Sequence, residues 1–272
     1  MERLQAAIEK ARDDRDRVPP RRGARIGGAL DAAWARLNPL HLDGEVLQNN
    51  RIFTAEAGPL AASFDILRTR VLRTMQQNGW KRLAITSATP ECGKSTIALN
   101  LAFAMARQPN MRTLQVELDM RRPSQQRLLG LTGGHQPAPS SVADLLSGDK
   151  SFADIALNHR NSLALVTNGQ SVQNPSDILL SSDVGRVLSD LERTYQFDMV
   201  ICDMPPSLIS DDMIAFTSNV DCALIVAAAE ASTAAEIDKC ERDLSEMTNV
   251  LGVVLNKYRL GAADSAYPDQ YY

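Results

Sequence analysis

The stretch Arg82-Leu-Ala-Ile-Thr-Ser-Ala-Thr-Pro-Glu-Cys-Gly-Lys-Ser-Thr96 decides how the rest of this chain is interpreted. Its apolar first half predicts a buried strand, and apolar residues at helical spacing from Ser95 to Gln108 predict a helix after it. A Gly-Lys-Ser loop at such a junction is typical of nucleoside triphosphate binding, because backbone N–H groups surround the phosphates and the lysine neutralises them. Ala88 stands where the usual loop has its first glycine, but the flanking elements favour a phosphate-binding loop.

Composition and charge exclude several other classes of protein. The 272 residues are 44% hydrophobic and 23% charged, as in an ordinary globular protein, and the net charge of −4 argues against a nucleic-acid partner. The four cysteines include no Cys-x-x-Cys pair, which is typical of a reducing compartment. Because no apolar run approaches the ~18 residues of a membrane span, we expect a cytoplasmic protein that only a partner would recruit to the inner face of the membrane.

From residue 81 onwards, predicted strands alternate with predicted helices. The expected strands are 82–88, 113–119, 163–167, 199–203, 222–228 and 250–256. The expected helices include 60–75, 95–108, 176–195 and 232–247. Continuous apolar strands separated by helices predict an α/β, P-loop NTPase fold, in which a mostly parallel sheet is covered by helices on both faces.

The same pattern divides the chain into three parts. Residues 1–57 are expected to form an N-terminal helix, at 1–17, followed by a linker without clear periodicity. Residues 58–258 are expected to form the P-loop ATP-binding domain. Residues 259–272 lack apolar periodicity and are expected to be a flexible tail that carries tyrosines.

Two aspartates follow predicted strands in a way that completes a site. Asp119 ends the strand at 113–119 and Asp203 ends the strand at 199–203. In a parallel sheet these strand ends share one edge with the phosphate loop, so both carboxylates are expected beside a bound Mg²⁺. Carboxylates there hold the waters of the metal or accept a proton from an attacking hydroxyl. A single strand-end aspartate is more often a turn or cap residue, but two of them favour a functional site.

Three segments of the chain resemble the Walker A, A′ and B motifs of the bacterial tyrosine kinases, which regulate capsule and exopolysaccharide synthesis. They are residues 86–96, residues 117–123 (Glu-Leu-Asp-Met-Arg-Arg-Pro) and residues 200–206 (Val-Ile-Cys-Asp-Met-Pro-Pro). The resemblance extends from about residue 60 to the end of the chain. It implies a protein-tyrosine kinase that uses ATP and Mg²⁺. It also implies a membrane-embedded activator or polysaccharide co-polymerase as the partner.

The resemblance and the motifs together assign roles to individual residues. Lys94 is expected to neutralise the β- and γ-phosphates, while backbone N–H groups cradle them. The expected nucleotide-binding residues are Glu91, Cys92, Gly93, Lys94, Ser95, Thr96 and, by resemblance alone, Asn256 near adenine. Ser95, Asp119 and Asp203 are the expected metal-binding residues, and Lys94, Asp119 and Asp203 the expected catalytic ones. For Asp119, a second metal contact and a base for the tyrosine hydroxyl remain alternatives.

The tail supplies the expected phosphate acceptors. Three of the five tyrosines, namely Tyr267, Tyr271 and Tyr272, fall in the last six residues. Tyrosines usually stabilise a fold by burying their rings, but this segment offers little to pack against. The resemblance implies autophosphorylation at these positions. A flexible tail of about 14 residues has a root-mean-square reach of ~20 Å, which allows delivery to its own site or to a neighbour's.

Several positions depart from the related families. Relatives build rings of subunits with a Glu-x-x-Arg-x-x-Arg helix, but the aligned residues here are Ala62, Asp65 and Arg68, so homo-oligomer formation stays open. Glu117 stands where the A′ motif usually opens with aspartate. A ParA/MinD-like ATPase usually carries a signature lysine where this chain has Thr89. That ATPase and a non-catalytic nucleotide-binding regulator are the two alternatives to a kinase.

Overall fold

The computed structural model describes residues 27–131 and 141–258. Eight strands in these ranges form one sheet in the order β1-β4-β5-β3-β6-β2-β7-β8. The strands are β1 (Asn38–Pro39), β2 (Arg82–Thr86), β3 (Thr113–Glu117), β4 (Leu157–His159), β5 (Leu163–Val166), β6 (Met199–Asp203), β7 (Cys222–Ala228) and β8 (Asn249–Asn256). All neighbouring strands are parallel except β4 and β5, which are antiparallel. The predicted mostly parallel sheet is therefore confirmed.

The helices lie on both faces of this sheet. They are α1 (Gly27–Ala35), α2 (Gly44–Asn49), α3 (Ala62–Asn78), α4 (Lys94–Ala106), α5 (Gln125–Leu128), α6 (Val142–Leu146), α7 (Phe152–Ile155), α8 (Pro175–Leu179), α9 (Asp183–Tyr195), α10 (Asp212–Phe216) and α11 (Ala234–Ser245). Two short 3₁₀ helices, Pro59–Ala61 and Thr217–Asn219, complete the set in the described ranges. None of these helices combines the length and the apolar content needed to cross a bilayer.

Strand β2 shows why the sheet needs cover on both sides. Its side chains alternate between two buried clusters, because successive residues of a strand point to opposite faces. Leu83 and Ile85 pack with Phe103 of α4 on one face. Ala84 belongs to the cluster on the other face, which contains Leu188 of α9. Both faces of the strand are apolar for this reason, and the phosphate loop that follows β2 is anchored in the middle of the core.

The stretch predicted as a linker differs from that prediction. Residues 27–57 contribute α1, β1 and α2, and Asn38 of β1 pairs with Leu157 of β4. Trp34 of α1 is fully buried, and its Nε1 donates a hydrogen bond to the carbonyl of Tyr195 at 3.1 Å. Sequence periodicity missed this region because its elements are short and make their contacts with distant parts of the chain. The helix predicted at 1–17 lies outside the described residues.

Other element boundaries differ in smaller ways. The strands predicted at 82–88 and 113–119 each end two residues earlier, so Asp119 lies in the loop after β3. The backbone N–H of Asp119 still donates to the carbonyl of Asp203 at 2.9 Å, which keeps this loop at the sheet edge. The helix predicted at 176–195 is two helices, α8 and α9, with an interruption at 180–182.

Candidate active site

The phosphate loop joins β2 to α4 and is held in place by the end of β8. Gly93 precedes α4 with φ +88°, a left-handed conformation that favours glycine. A Cβ built on Gly93 would lie 2.2 Å from Nδ2 of Asn256. That same Nδ2 donates a hydrogen bond to the carbonyl of Cys92 at 2.9 Å. Asn256, expected near adenine, therefore braces the loop backbone, and its contact with adenine stays a prediction.

Two loop residues before Gly93 point in opposite directions. Glu91 is exposed, has φ +60° and lines the cavity described below. Cys92 is buried, and its Sγ donates to the carbonyl of Thr89 at 3.3 Å and lies 3.5 Å from Oγ of Ser232. Burial by itself raises the pKa of the Cys92 thiol, but hydrogen bonds with Ser232 and Thr89 together bring that pKa below its ordinary value. The thiol thus packs behind the loop and leaves the backbone N–H groups to face a ligand.

Lys94 and Asp119 meet in front of the loop. Lys94 is the first residue of α4 and only 6% exposed, and its Nζ lies 3.9 Å from Oδ2 of Asp119. The other oxygen of Asp119 accepts the backbone N–H of Arg122 at 3.2 Å. Desolvation raises the pKa of Asp119, and the positive charge of Lys94 opposes that shift. The structure therefore brings together the predicted lysine and the first predicted aspartate.

Asp203 lies at the end of β6, behind these two residues. It is fully buried, and its Oδ2 accepts a hydrogen bond from Nε2 of Gln125 at 2.7 Å. Its Oδ1 is buried without a hydrogen-bond partner among the described residues. Burial raises the pKa of Asp203 to about 6, against the lowering effects of Lys94 and the neighbouring Ser95 side chain. A buried carboxylate oxygen without a donor is where a metal-bound water would fit.

These residues suit a magnesium ion that a nucleotide brings with it. Within the described ranges, no group of three or more histidine, cysteine or acidic side chains could hold a metal alone. Mg²⁺ commonly binds through one or two carboxylates together with substrate phosphates, and it keeps several of its waters. The Ser95 hydroxyl at the start of α4, with Asp203 behind it, matches that arrangement.

Glu117 has a structural task that the sequence did not reveal. It is fully buried at the end of β3, and its Oε1 accepts backbone N–H groups of Ser124 at 2.6 Å and Gln125 at 2.8 Å. Its Oε2 accepts the backbone N–H of Asn168 at 2.8 Å. Burial, with a further contribution from nearby Asp203, raises the pKa of Glu117 to about 7. Glu117 thus ties the loops after β3 and β5 together and places Gln125 against Asp203.

Gln125 is a site residue that the sequence did not predict. It is fully buried at the start of α5, and it is 78 positions from the aspartate that it contacts. Nothing in the local pattern of polar and apolar residues predicts such a contact. The available signal was indirect: Gln125 follows closely after the acidic A′-like segment at 117–123.

A cavity of about 1010 Å³ opens at this edge of the sheet. Of the predicted site residues, its walls include Glu91, Gly93, Lys94, Ser95, Thr96 and Asp119. The structure places Cys92, Asp203 and Asn256 behind this wall, where they support it. Tyr267, Tyr271 and Tyr272 lie outside the described residues. The predicted phosphate loop and Asp119 therefore line one cavity, and Asp203 is buried behind them.

Arg121 closes one side of the cavity through an internal ion pair. Its Nε and Nη2 donate to the two carboxylate oxygens of Asp212 at 2.7 and 2.9 Å. Asp212 is fully buried at the start of α10, and the exposed Asp211 carboxylate lies 3.6 Å from Arg121. Because a paired, bidentate guanidinium is fixed in position, Arg121 joins the loop after β3 to α10.

Comparison with known protein families gives one match over most of the chain. Residues 83–269 match the CobQ/CobB/MinD/ParA nucleotide binding domain. The matched range begins in β2 and contains the phosphate loop and both aspartates described above.

Individual proteins that are similar in sequence include several tyrosine-protein kinases. The chain is 31% identical over 185 residues to the tyrosine-protein kinase CpsD of Streptococcus pneumoniae serotype 4, covering 65% of this chain and 76% of CpsD. It is 28% identical over 210 residues to the putative tyrosine-protein kinase CapB of Staphylococcus aureus, covering 76% of this chain and 89% of CapB. The tyrosine-protein kinase Etk of Escherichia coli is 28% identical over 193 residues, but this chain spans only 25% of its length.

A solved structure agrees with these relatives. The kinase domain of Escherichia coli Etk superimposes with a TM-score of 0.65 at 26% sequence identity, covering 76% of this chain and 78% of that domain. The sequence relatives and this structural neighbour thus point to one group of proteins.

Proposed function

Because this chain belongs to the CobQ/CobB/MinD/ParA nucleotide-binding family, and within it to the bacterial tyrosine kinases, we propose that it is an ATP-dependent protein-tyrosine autokinase. The observation that carries this proposal is the convergence of Lys94, Asp119 and the buried Asp203 at a Gly-Lys-Ser loop. Lys94 and Asp119 line one cavity and Asp203 lies behind them, which suits phosphoryl transfer, because that reaction depends mainly on positioning and on charge stabilisation.

ATP and Mg²⁺ are the proposed substrate and cofactor. When bound, Mg²⁺ would neutralise the negative charge that develops on the phosphoryl group during transfer. Ser95 would be its direct protein ligand. The unpartnered Oδ1 of Asp203 would accept a hydrogen bond from one of its waters.

The remaining residues would position and activate the reacting groups. Lys94 would hold the β- and γ-phosphates, with backbone N–H groups from residues 91–96 around them. The tyrosine oxygen forms a bond to the γ-phosphorus as the bond to the β–γ bridging oxygen breaks, and ADP leaves with that electron pair. Asp119 is 7% exposed and lines the cavity, which supports a role in accepting the proton of the tyrosine hydroxyl. Its alternative role is a second contact to the metal.

The proposed acceptors are Tyr267, Tyr271 and Tyr272. This chain spans only a quarter of the length of Etk. The process in which the chain acts, and the partner that recruits it, are therefore proposals too. In that proposal the kinase acts in capsule or exopolysaccharide synthesis, at the inner face of the membrane. A membrane-embedded activator or co-polymerase recruits it there.

Self-association of this chain would need other contacts than the ring helix of its relatives. Asp65 of α3 accepts a hydrogen bond from Arg68 at 2.9 Å and pairs with Arg107 of the same molecule. Both charged positions of the altered ring motif are therefore engaged within one subunit. A homo-oligomer remains part of the proposal, but not through this ion-pair pattern.

Incubation of the purified chain with γ-labelled ATP and Mg²⁺ tests the kinase directly. We expect label on the chain, and its loss both in Lys94→Met and in the variant with all three tail tyrosines changed to phenylalanine. Lys81→Met is the matched control, because Lys81 is exposed next to β2 and outside the cavity. ATP turnover without labelled protein would instead indicate a ParA/MinD-like ATPase. Nucleotide binding without turnover would indicate a regulator.

A further inference from the structure

Two arginines on the cavity wall are free to bind an anion. Arg122 and Arg127 both line the cavity and are exposed. Neither forms an ion pair within 4 Å with another described residue, although the charge of Arg122 also acts on the Asp119 carboxylate, whereas the adjacent Arg121 is held by Asp212. A guanidinium without a carboxylate partner is a ready binding group for a carboxylate or phosphate. These two side chains therefore offer positive charge to whatever enters the cavity.

Two of the apolar side chains that line the cavity are exposed to solvent. Ile209, in the loop after β6, is 64% exposed, and Ile214 of α10 is 55% exposed. Both line the same cavity as the two arginines. Exposed apolar side chains at a cavity commonly mark the place of an apolar or aromatic ligand group. Phosphate groups make no use of apolar side chains, so Ile209 and Ile214 are available to an aromatic ring that enters the cavity.

From this geometry we infer that Ile209, Ile214, Arg122 and Arg127 form an acceptor subsite for a tyrosine flanked by carboxylates. The isoleucines would contact the aromatic ring, and the arginines would pair with the flanking acidic residues. The inference rests on the proposed kinase function and names the class of substrate that this site selects: acidic tyrosine segments.

The occupant is the segment 259–272 of this chain. In that segment, Asp264 lies three residues before Tyr267 and Asp269 lies two residues after it, which gives charge complementarity with the two arginines. The segment also starts close to the site, because Lys257 lines the cavity. The nine residue-to-residue steps from Tyr258 to Tyr267 span up to about 30 Å when extended, which is enough to cross a cavity of about 1010 Å³. Three acidic residues line the cavity, namely Glu91, Asp119 and Asp211. Asp119 is paired with Lys94 at 3.9 Å and Asp211 with Arg121 at 3.6 Å, so Glu91 is the acidic lining residue without an ion pair among the described residues.

A peptide assay with the full-length chain separates the subsite from the chemistry. The chain carries Tyr267, Tyr271 and Tyr272 all changed to phenylalanine, so that only an added peptide accepts phosphate. One peptide has the sequence of residues 259–272 with Tyr267 as its only tyrosine, and the second carries Asp264→Asn and Asp269→Asn as well. At saturating Mg²⁺ and ATP, we expect kcat/KM to be about fivefold lower for the second peptide, as for two partly exposed ion pairs, with the change mainly in KM.

Variants of the chain identify the groups that recognise the acidic residues. With Arg122→Gln and Arg127→Gln, the two peptides should be phosphorylated equally well, and the KM for ATP should be unchanged. The control is Arg186→Gln with Arg193→Gln, which removes two charges from the exposed side of α9, and it should keep the fivefold preference. Restored transfer by an Arg122→Glu, Arg127→Glu chain to a peptide with lysine at 264 and 269 would add direct support.

Three results would overturn the inference. If the chain with intact arginines phosphorylates both peptides equally well, the site does not recognise the acidic residues, although the kinase function still holds. If the preference for the acidic peptide persists without Arg122 and Arg127, other groups recognise the acidic residues. A weakened affinity for ATP, with both peptides equally affected, assigns the arginines to the nucleotide. If neither peptide is labelled at all, the kinase proposal fails and this inference fails with it.

Discussion

At the scale of single residues, Gly93 shows how closely the phosphate loop is fitted to the strand beside it. Its positive φ is one obstacle to a side chain, and the 2.2 Å that would separate a Cβ from Nδ2 of Asn256 is another. We expect Gly93→Ala to lower the free energy of unfolding by about 1–3 kcal/mol and to weaken ATP binding more than tenfold. Chemical denaturation and nucleotide titration measure the two effects.

A second variant separates those two obstacles. Combining Gly93→Ala with Asn256→Ala removes the clash but keeps the unfavourable φ, so only part of the stability should return. Asn256→Ala alone should cost about 1 kcal/mol, because the carbonyl of Cys92 loses its donor. A Gly93→Ala chain as stable as the parent would contradict this account of the loop.

Glu117 makes the stability of the ligand-free chain depend on pH. Its pKa rises from the ordinary 4.5 to about 7, chiefly through burial, so the folded state binds this proton more tightly than the unfolded state. The stabilising contribution is fully present below pH 4.5 and is lost as the pH rises through about 7. The loss attributable to this group is at most about 3 kcal/mol. Urea denaturation at intervals between pH 4.5 and 8, without nucleotide, measures it.

Glutamine at position 117 removes the titration. Glu117→Gln should be destabilised, since an amide nitrogen cannot accept the N–H groups of Ser124, Gln125 or Asn168, but its stability should change less with pH over that range. Glu246→Gln is the matched control, because Glu246 is exposed at the end of α11. An unchanged pH profile in Glu117→Gln would mean that other groups cause the dependence.

At the scale of elements, α1 is part of the folded domain. The ring of Trp34 packs against Phe197, with ring centroids 5.7 Å apart, and the Arg112 guanidinium lies 5.4 Å from its centroid. Because a fully buried aromatic ring leaves a large cavity when removed, we expect Trp34→Ala to cost about 3–5 kcal/mol. Ile66→Ala, at a position 54% exposed on α3, should change stability by less than about 0.5 kcal/mol. Equal costs in thermal or urea denaturation would show that α1 is not docked as described.

Elements with a strong local pattern could be predicted from the sequence, and elements held by distant contacts could not. Strands β6 and β7 match the predicted ranges 199–203 and 222–228, because continuous apolar runs mark strands buried on both faces. Strands β1 and β4 have only two and three residues, too few for any periodicity. The candidate site divides in the same way. The loop and its aspartates follow local motifs, whereas the contact of Gln125 with Asp203 depends on the folded sheet.

At the scale of the whole molecule, the sheet gathers buried acidic side chains, whose desolvation is unfavourable, at one edge. Glu117, Asp119 and Asp203 are all at least nine-tenths buried there, and burial raises the pKa of each. Among the described residues of the ligand-free chain, only the side chain of Lys94 offsets this acidic cluster by a direct ion pair, with Asp119. Burial of these acidic groups lowers the free energy of unfolding of the ligand-free chain. A cation bound beside them should therefore raise that free energy again.

Nucleotide binding should therefore raise the melting temperature of the whole chain. A ligand that binds only the folded chain, present at about 100 times its Kd, adds about 2.7 kcal/mol, which corresponds to a rise in Tm of about 5–10 °C for a domain of this size. We expect ATP with Mg²⁺ to produce this rise and ATP with EDTA to produce much less. Asp203→Asn should raise the Tm of the ligand-free chain, because it removes a desolvated buried charge, and should abolish most of the additional effect of Mg²⁺. If Asp203→Asn kept the full Mg²⁺-dependent shift, the ion would be held elsewhere, and the acidity of this edge would need another cause.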